Sequence, residues 1–187
     1  MDLGKFTTSD RLKVGGAAAF FVFSLFTWVK VSAGGFGSSG GNAFDFFWTG
    51  VVPWLLIVGV GVVSVLLAIG TIKPGTTPWP LILLGASGLA ALLVVIRLLF
   101  NPIKGADAIE ATGIVEISRG FGLYLSTIAA LAVAAGAAMA FKESGGDLND
   151  LTDVDKLKVA FNQGGSTPPP PPAPPGSMPP PPPPMPQ

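Results

Sequence analysis

The sequence predicts an all-α fold, a four-helix transmembrane bundle followed by a disordered proline-rich C-terminal tail. Three observations predict it. Residues 14–29, 51–72, 81–100 and 120–141 form four long apolar stretches that hold one charge between them, Arg97. Charged residues make up 12% of the 187-residue chain, about half of what a soluble domain carries, and mean hydropathy is +0.60. Residues 168–187 hold fourteen prolines. A helix needs roughly 20 apolar residues to cross a hydrocarbon core while satisfying its own backbone, and the four stretches meet or approach that length.

The chain then divides into 1–13, a cytoplasmic N-terminus; 14–141, the four-span bundle; 142–163, a cytoplasmic segment with a short amphipathic helix; and 164–187, the tail. The first span is the shortest, and Arg11, Lys13 and Lys30 extend it by snorkelling, with Trp28 in an interfacial aromatic belt. Its rival is a cleaved signal peptide, with Lys5, Arg11 and Lys13 as the basic start and Val31-Ser32-Ala33 as the cleavage site. The long apolar core and Lys30 favour a retained span. Pro53 suits the first turn of the second span, where its missing N–H costs nothing. Lys73-Pro74-Gly75 and Pro78-Trp79-Pro80 make the turn into the third, Asn101-Pro102 closes that span and Arg119-Gly120 opens the fourth.

Basic residues set the orientation. With the N-terminus inside, Lys5, Arg11, Lys13, Lys73, Lys142, Lys156 and Lys158 lie inside, against Lys30, Lys104 and Arg119 outside, seven to three. The expected location is the plasma membrane, multi-pass, with both termini cytoplasmic. Two loops then face outward, 30–50 and 101–119, each too short for a domain of its own and expected to cap the bundle. Beyond the fourth span, residues 147–163 carry Leu148, Leu151, Val154, Leu157 and Phe161 at helical spacing, with Thr152 and Asp155 fitting a capping box. Four acids against two lysines in that segment speak against an anionic membrane surface as its partner.

The chain contains neither histidine nor cysteine, which removes the commonest general base, the commonest metal ligands, the thiol nucleophile and any disulfide. A net charge of zero gives nucleic acid nothing to bind. No catalytic, cofactor-binding or metal site is expected. Four features remain. Arg97 is the one intramembrane charge, a functional candidate by default; near the end of its span it is also placed to snorkel, or to pair with Asp45, Asp107 or Glu110. The fourth span carries small residues on two stripes, Ser126, Ala130, Ala134 and Ala138, and Ala132, Gly136 and Ala140, a pattern that lets helices approach closely. Packing inside the chain's own bundle is the first expectation, and association as a homo-oligomer is compatible with it. Phe44 to Trp48 reads as interfacial aromatics, and the glycines at 34, 35, 37, 40 and 41 lack the strand and Lys-Ser/Thr of a phosphate loop. The tail, in polyproline II, would extend on the order of 60 Å and suits equally docking into an aromatic groove of a protein partner or service as a solvating spacer.

The layout resembles a group of small, uncharacterised four-span integral membrane proteins of actinobacteria. The similarity lies in Leu3-Gly4-Lys5-Phe6-Thr7-Thr8-Ser9-Asp10, Phe26-Thr27-Trp28-Val29-Lys30-Val31, Gly40-Gly41-Asn42-Ala43-Phe44-Asp45 and Arg119-Gly120-Phe121-Gly122, and covers residues 1–141. Many members have proline where Thr27 stands. The resemblance implies an integral plasma-membrane protein and transfers no catalytic residue. The expected function is that of a non-enzymatic accessory or scaffold protein, embedded in membrane lipid, whose tail recruits a partner. The alternative is a small transporter or oligomeric channel in which Arg97 and the outward loops select an anion.

Overall fold

The computed structural model describes residues 6–33, 37–72, 77–100, 115–147 and Lys158. Of the expectations above, the turn at 73–76, the charges Lys104, Asp107 and Glu110, the helix at 147–163 apart from Asp147 and Lys158, and the proline-rich tail lie outside the described residues.

Four helices form the body: α1 (Thr8–Ser24), α2 (Val52–Ala68), α3 (Trp79–Leu99) and α4 (Phe121–Glu143). Each starts and faces as its residues dictate. Thr7 caps α1, its Oγ1 accepting from the Asp10 amide at 3.2 Å while Asp10 Oδ2 accepts from the Thr7 amide at 3.3 Å, a reciprocal capping box. Pro53 and Pro80 fall within the first two residues of α2 and α3, where no N–H is missed. The buried positions recur at helical spacing: Ser9, Lys13, Ala17, Phe20 and Ser24 on α1, and Leu83, Ser87, Ala90, Ala91, Val94 and Arg97 on α3.

The helices pack as a closed ring in which α4 lies between α1 and α3, and α2 completes the ring between α3 and α1. Neighbours run antiparallel: Ser9 at the start of α1 meets Glu143 at the end of α4, while the Gly122 amide of α4 bonds the Thr27 carbonyl just past α1. Small residues make the closest approaches. A Cβ on Gly61 of α2 would lie 2.6 Å from Ala17 Cβ, and one on Gly136 of α4 would lie 2.8 Å from Leu12 Cβ and 2.9 Å from the Ser9 carbonyl.

The fold is not all-α. The strands β1 (Val29–Ala33), β2 (Gly37–Gly41) and β3 (Val115–Arg119) form an antiparallel sheet in the order β2-β1-β3. In register, Val29 lies opposite Gly41 on one side and Arg119 on the other. The first apolar stretch is therefore divided: its helix begins earlier than expected, at Thr8, and ends at Ser24, and Val29 belongs to a strand. The reason is in the residues. Val29 and Val31 alternate with Lys30 and Ser32, and Val115 and Ile117 with Glu116 and Ser118, the period-two pattern of strands built from β-branched residues. Strands from the two segments expected to face outward thus pair with each other across the end of the bundle.

Three helical segments, Phe47–Ala68, Trp79–Leu99 and Phe121–Glu143, are long and apolar enough to cross a membrane. Large apolar residues face outward from the bundle, and serines join its apolar core. Ser24, Ser64, Ser87 and Ser126 are buried while Leu55, Leu92, Ile128 and Leu131 are exposed. Exposed leucine and buried serine suit a lipid solvent, in which apolar surface carries no penalty and small side chains bring helices together.

Candidate functional site

The sheet end of the bundle gathers the residues singled out by the sequence. β1 and β3 are fastened to the helices through Trp28. Its amide donates to the Gly41 carbonyl at 2.7 Å and its carbonyl accepts from the Gly120 amide at 2.8 Å. The ring is fully buried, with Nε1 donating to the Phe23 carbonyl at 3.3 Å and the ring edge-on to Phe20. Trp28 is therefore a core residue of this junction and not part of an interfacial belt. A Cβ on Gly120 would collide with the Thr27 carbonyl, so that position accepts only glycine in this geometry.

Between the sheet and α2 lies a compact turn. Ala43–Asp45 form one turn of 3-10 helix, capped by Asn42 Oδ1 accepting from the Phe44 amide at 2.9 Å and by Asp45 Oδ2 accepting from the Asn42 amide at 2.7 Å. Phe47–Val51 form a π-helical turn that runs directly into α2. Gly50 lets the two turns seat on each other, since any Cβ there would strike the Ala43 carbonyl. Phe47 and Trp48 stand exposed at 62% and 72%, in keeping with an interfacial role. Phe44 instead packs edge-on against Trp54 of α2, whose ring also meets Phe21 of α1.

Arg97 lies against this turn. Helical spacing along α3 places it on the buried face, in the last turn, and it is only 3% exposed. It does not snorkel. Its Cζ sits 3.6 Å from the centroid of the Phe46 ring, well within cation–π range, and neither Nη1 nor Nη2 has a hydrogen-bond partner. Nor does it pair with Asp45, whose Oδ2 is turned to the Asn42 amide. Asp107 and Glu110 lie outside the described residues. Arg119 approaches the same helix end, its Nη2 donating to the Leu99 carbonyl at 3.2 Å, a favourable use of a cation at a helix C-terminus.

The opposite end, where α1 begins and α4 ends, carries a second polar cluster that the sequence reasoning missed. Ser9 Oγ, buried, donates to Glu143 Oε2 at 2.8 Å and lies 2.7 Å from Thr7 Oγ1. Lys13, expected to snorkel, is 4% exposed and forms an ion pair with Asp10 at 2.9 Å. Asp10 precedes the apolar stretch. Its burial raises its pKa, but hydrogen bonds from Lys13 and Thr7 and the charge of Lys13 outweigh that, holding the carboxyl below the ordinary 3.8.

The small residues of α4 divide by depth. Ser126, Ala130 and Gly136 are buried, Ala132, Ala134, Ala138 and Ala140 are half-buried, and the helix uses them against α1 and α3. Gly16 of α1 comes close enough that a Cβ there would lie 2.7 Å from Val133. Among the described residues no group of three or more carboxylates is placed to hold a metal ion. Compared with protein-family models, curated proteins and solved structures, the chain finds no match.

Proposed function

We propose that this chain is a non-enzymatic integral membrane anchor of the plasma membrane, a four-span bundle whose proline-rich segment recruits a protein partner on the cytoplasmic side. The observation that carries the membrane part is the set of three long apolar helices whose outward faces expose Leu55, Leu92, Ile128 and Leu131. α1 counts as the fourth span because it packs along both α4 and α2; its apolar part begins at Val14, beyond the Asp10–Lys13 ion pair, which stays at the aqueous end. Exposed Phe21, Val22, Leu25 and Phe26 continue its apolar surface past the helix end. The excess of lysine and arginine at the termini end then sets that end inside and the sheet outside.

The recruiting part rests on composition. Residues 164–187 are dominated by proline, and a polyproline II segment docks with little further loss of conformational entropy. The account assigns the bundle to anchoring and the tail to capture. Affinity purification of the full chain and of a chain ending at Gln163, from native membranes, tests it. Loss of a cytoplasmic partner from the shortened chain is expected, and identical partner sets for the two would dismiss the recruiting role.

A further inference from the structure

We propose that the sheet end of the bundle is a binding site for a phosphate group, held between the Arg97 guanidinium and the start of the Phe47–Ala68 helical segment. The inference is independent of the recruiting role; its lipid-headgroup arm rests on the membrane-anchor reading, and its phosphate arm does not. Its first support is Arg97 itself. A guanidinium does not give up its proton in a protein, and a buried charge without a partner is strongly unfavourable. Arg97 is 3% exposed, and both terminal nitrogens lack an acceptor among the described residues. The Phe46 ring covers one face at 3.6 Å, which leaves the in-plane donors to be satisfied by an anion.

The second support is the helix start beside it. Phe46, the residue stacked on Arg97, is also the N-cap of the helical segment, and no side chain caps that end. The first helical bonds come from the Gly50 and Val51 amides, both to the Phe46 carbonyl at 2.8 and 3.0 Å. The amides before them belong to an open helix start, which favours an anion through its donors and its dipole. The segment is 22 residues long, enough for that dipole to be fully developed.

A further buried donor lies beside the same turn. Trp54 Nε1 has no hydrogen-bond partner among the described residues, and its ring rests 5.5 Å from that of Phe44, two residues before Phe46. Arg119, bound to the Leu99 carbonyl two residues beyond Arg97, adds a second positive charge to this helix end. No carboxylate among the described residues forms an ion pair with either arginine. A guanidinium, helix amides and an indole N–H are all donors, so the ligand must be an acceptor with several oxygens, and arginine with phosphate gives the bidentate match. Exposed Phe47 and Trp48 put the site at the level of lipid headgroups, where a phospholipid or free phosphate supplies the same chemistry.

The test uses the full chain purified in detergent and stripped of lipid. One arm measures retention of radiolabelled inorganic phosphate at constant ionic strength; the other measures retention of phosphatidylglycerol by native mass spectrometry in phosphate-free buffer. Binding in the lipid arm alone assigns a headgroup, and binding in both assigns the phosphate itself. In the arm that binds, Arg97→Gln is expected to weaken retention about tenfold or more and Trp54→Phe roughly threefold, the difference between losing a charged and a neutral donor. Should Arg97→Gln fail to fold, the Trp54→Phe result decides. Absence of binding in both arms, or equal retention by wild type and the folded variants, overturns the proposal. So does binding that appears only in Asp107→Asn/Glu110→Gln, because the chain's own carboxylates would then be the partner of Arg97.

Discussion

Lys13 at the termini end and Arg97 at the sheet end are almost equally buried, 4% and 3% exposed, yet they are compensated in different ways. Lys13 finds Asp10 three residues earlier on the same helix, within a box of hydrogen bonds that also draws in Thr7, Ser9 and, through Ser9, Glu143. Arg97 finds an aromatic face, with no acceptor for its terminal nitrogens among the described residues. The first arrangement is closed within the chain and ties helix ends together. The second leaves the terminal nitrogens of Arg97 without an acceptor among the described residues, which suits an anion from outside. Comparing the two separates a structural buried charge from a binding one.

The comparison breaks first at the junction that supports the sheet end. Gly120→Ala drives a methyl group into the Thr27 carbonyl, a backbone atom that cannot swing aside. A loss of about 3 kcal/mol or more is expected, read as a fall in the thermal midpoint in detergent, together with exposure of Trp28 in its fluorescence. If Gly120→Ala is as stable as wild type, the β1–β3 junction is not rigid and the positioning of Arg97 by this turn fails with it.

The two cations themselves sharpen it next. Lys13→Met leaves Asp10 half-buried without its cation and is expected to cost about 1–2 kcal/mol. Arg97→Met removes a charge with no ion-pair partner among the described residues, so in lipid- and phosphate-free detergent it is expected to leave stability unchanged or raise it by about 1 kcal/mol. Opposite signs in the same unfolding assay support the distinction; equal losses would show that Arg97 has a partner within the chain.

How much of this was legible beforehand differs between the ends for the same physical reason. The helices were readable because lipid demands long apolar runs, and α2, α3 and α4 lie within a few residues of the stretches that predicted them. The sheet was masked by that very signal. Val29 sits at the end of an apolar run, so its alternation with Lys30 and Ser32 was absorbed into a span, and its partner strand lies 90 positions away in register, from Val29 to Arg119. Arg97 was identifiable as a charge in a span, and its spacing from Leu83, Ser87, Ala90 and Val94 already placed it on one helix face. Which face is buried depends on neighbours, and Phe46 belongs to a loop whose turn type follows from contacts with Ala43 and Gly50. The Ser9–Glu143 bond joins residues 134 apart and leaves no local trace.

The smallest effect concerns acid. Asp10 is held below its ordinary 3.8, so the box contributes its full stability above that value and loses it as pH falls through the lowered pKa. Unfolding midpoints are expected to be flat at neutral pH and to decline below about pH 4 by less than 1 kcal/mol, and Asp10→Asn should abolish that part of the decline. An unchanged decline in Asp10→Asn would place the acid sensitivity elsewhere.

The central claim is a bilayer between the two ends, with the sheet outside. The native chain has no cysteine, so single substitutions report cleanly, and Ser39 on β2 and Ser144 after α4 are both exposed. An impermeant thiol reagent applied to intact cells is expected to label Ser39→Cys, and to label Ser144→Cys only after the membrane is opened. Equal labelling of both positions on intact cells would contradict a membrane between them.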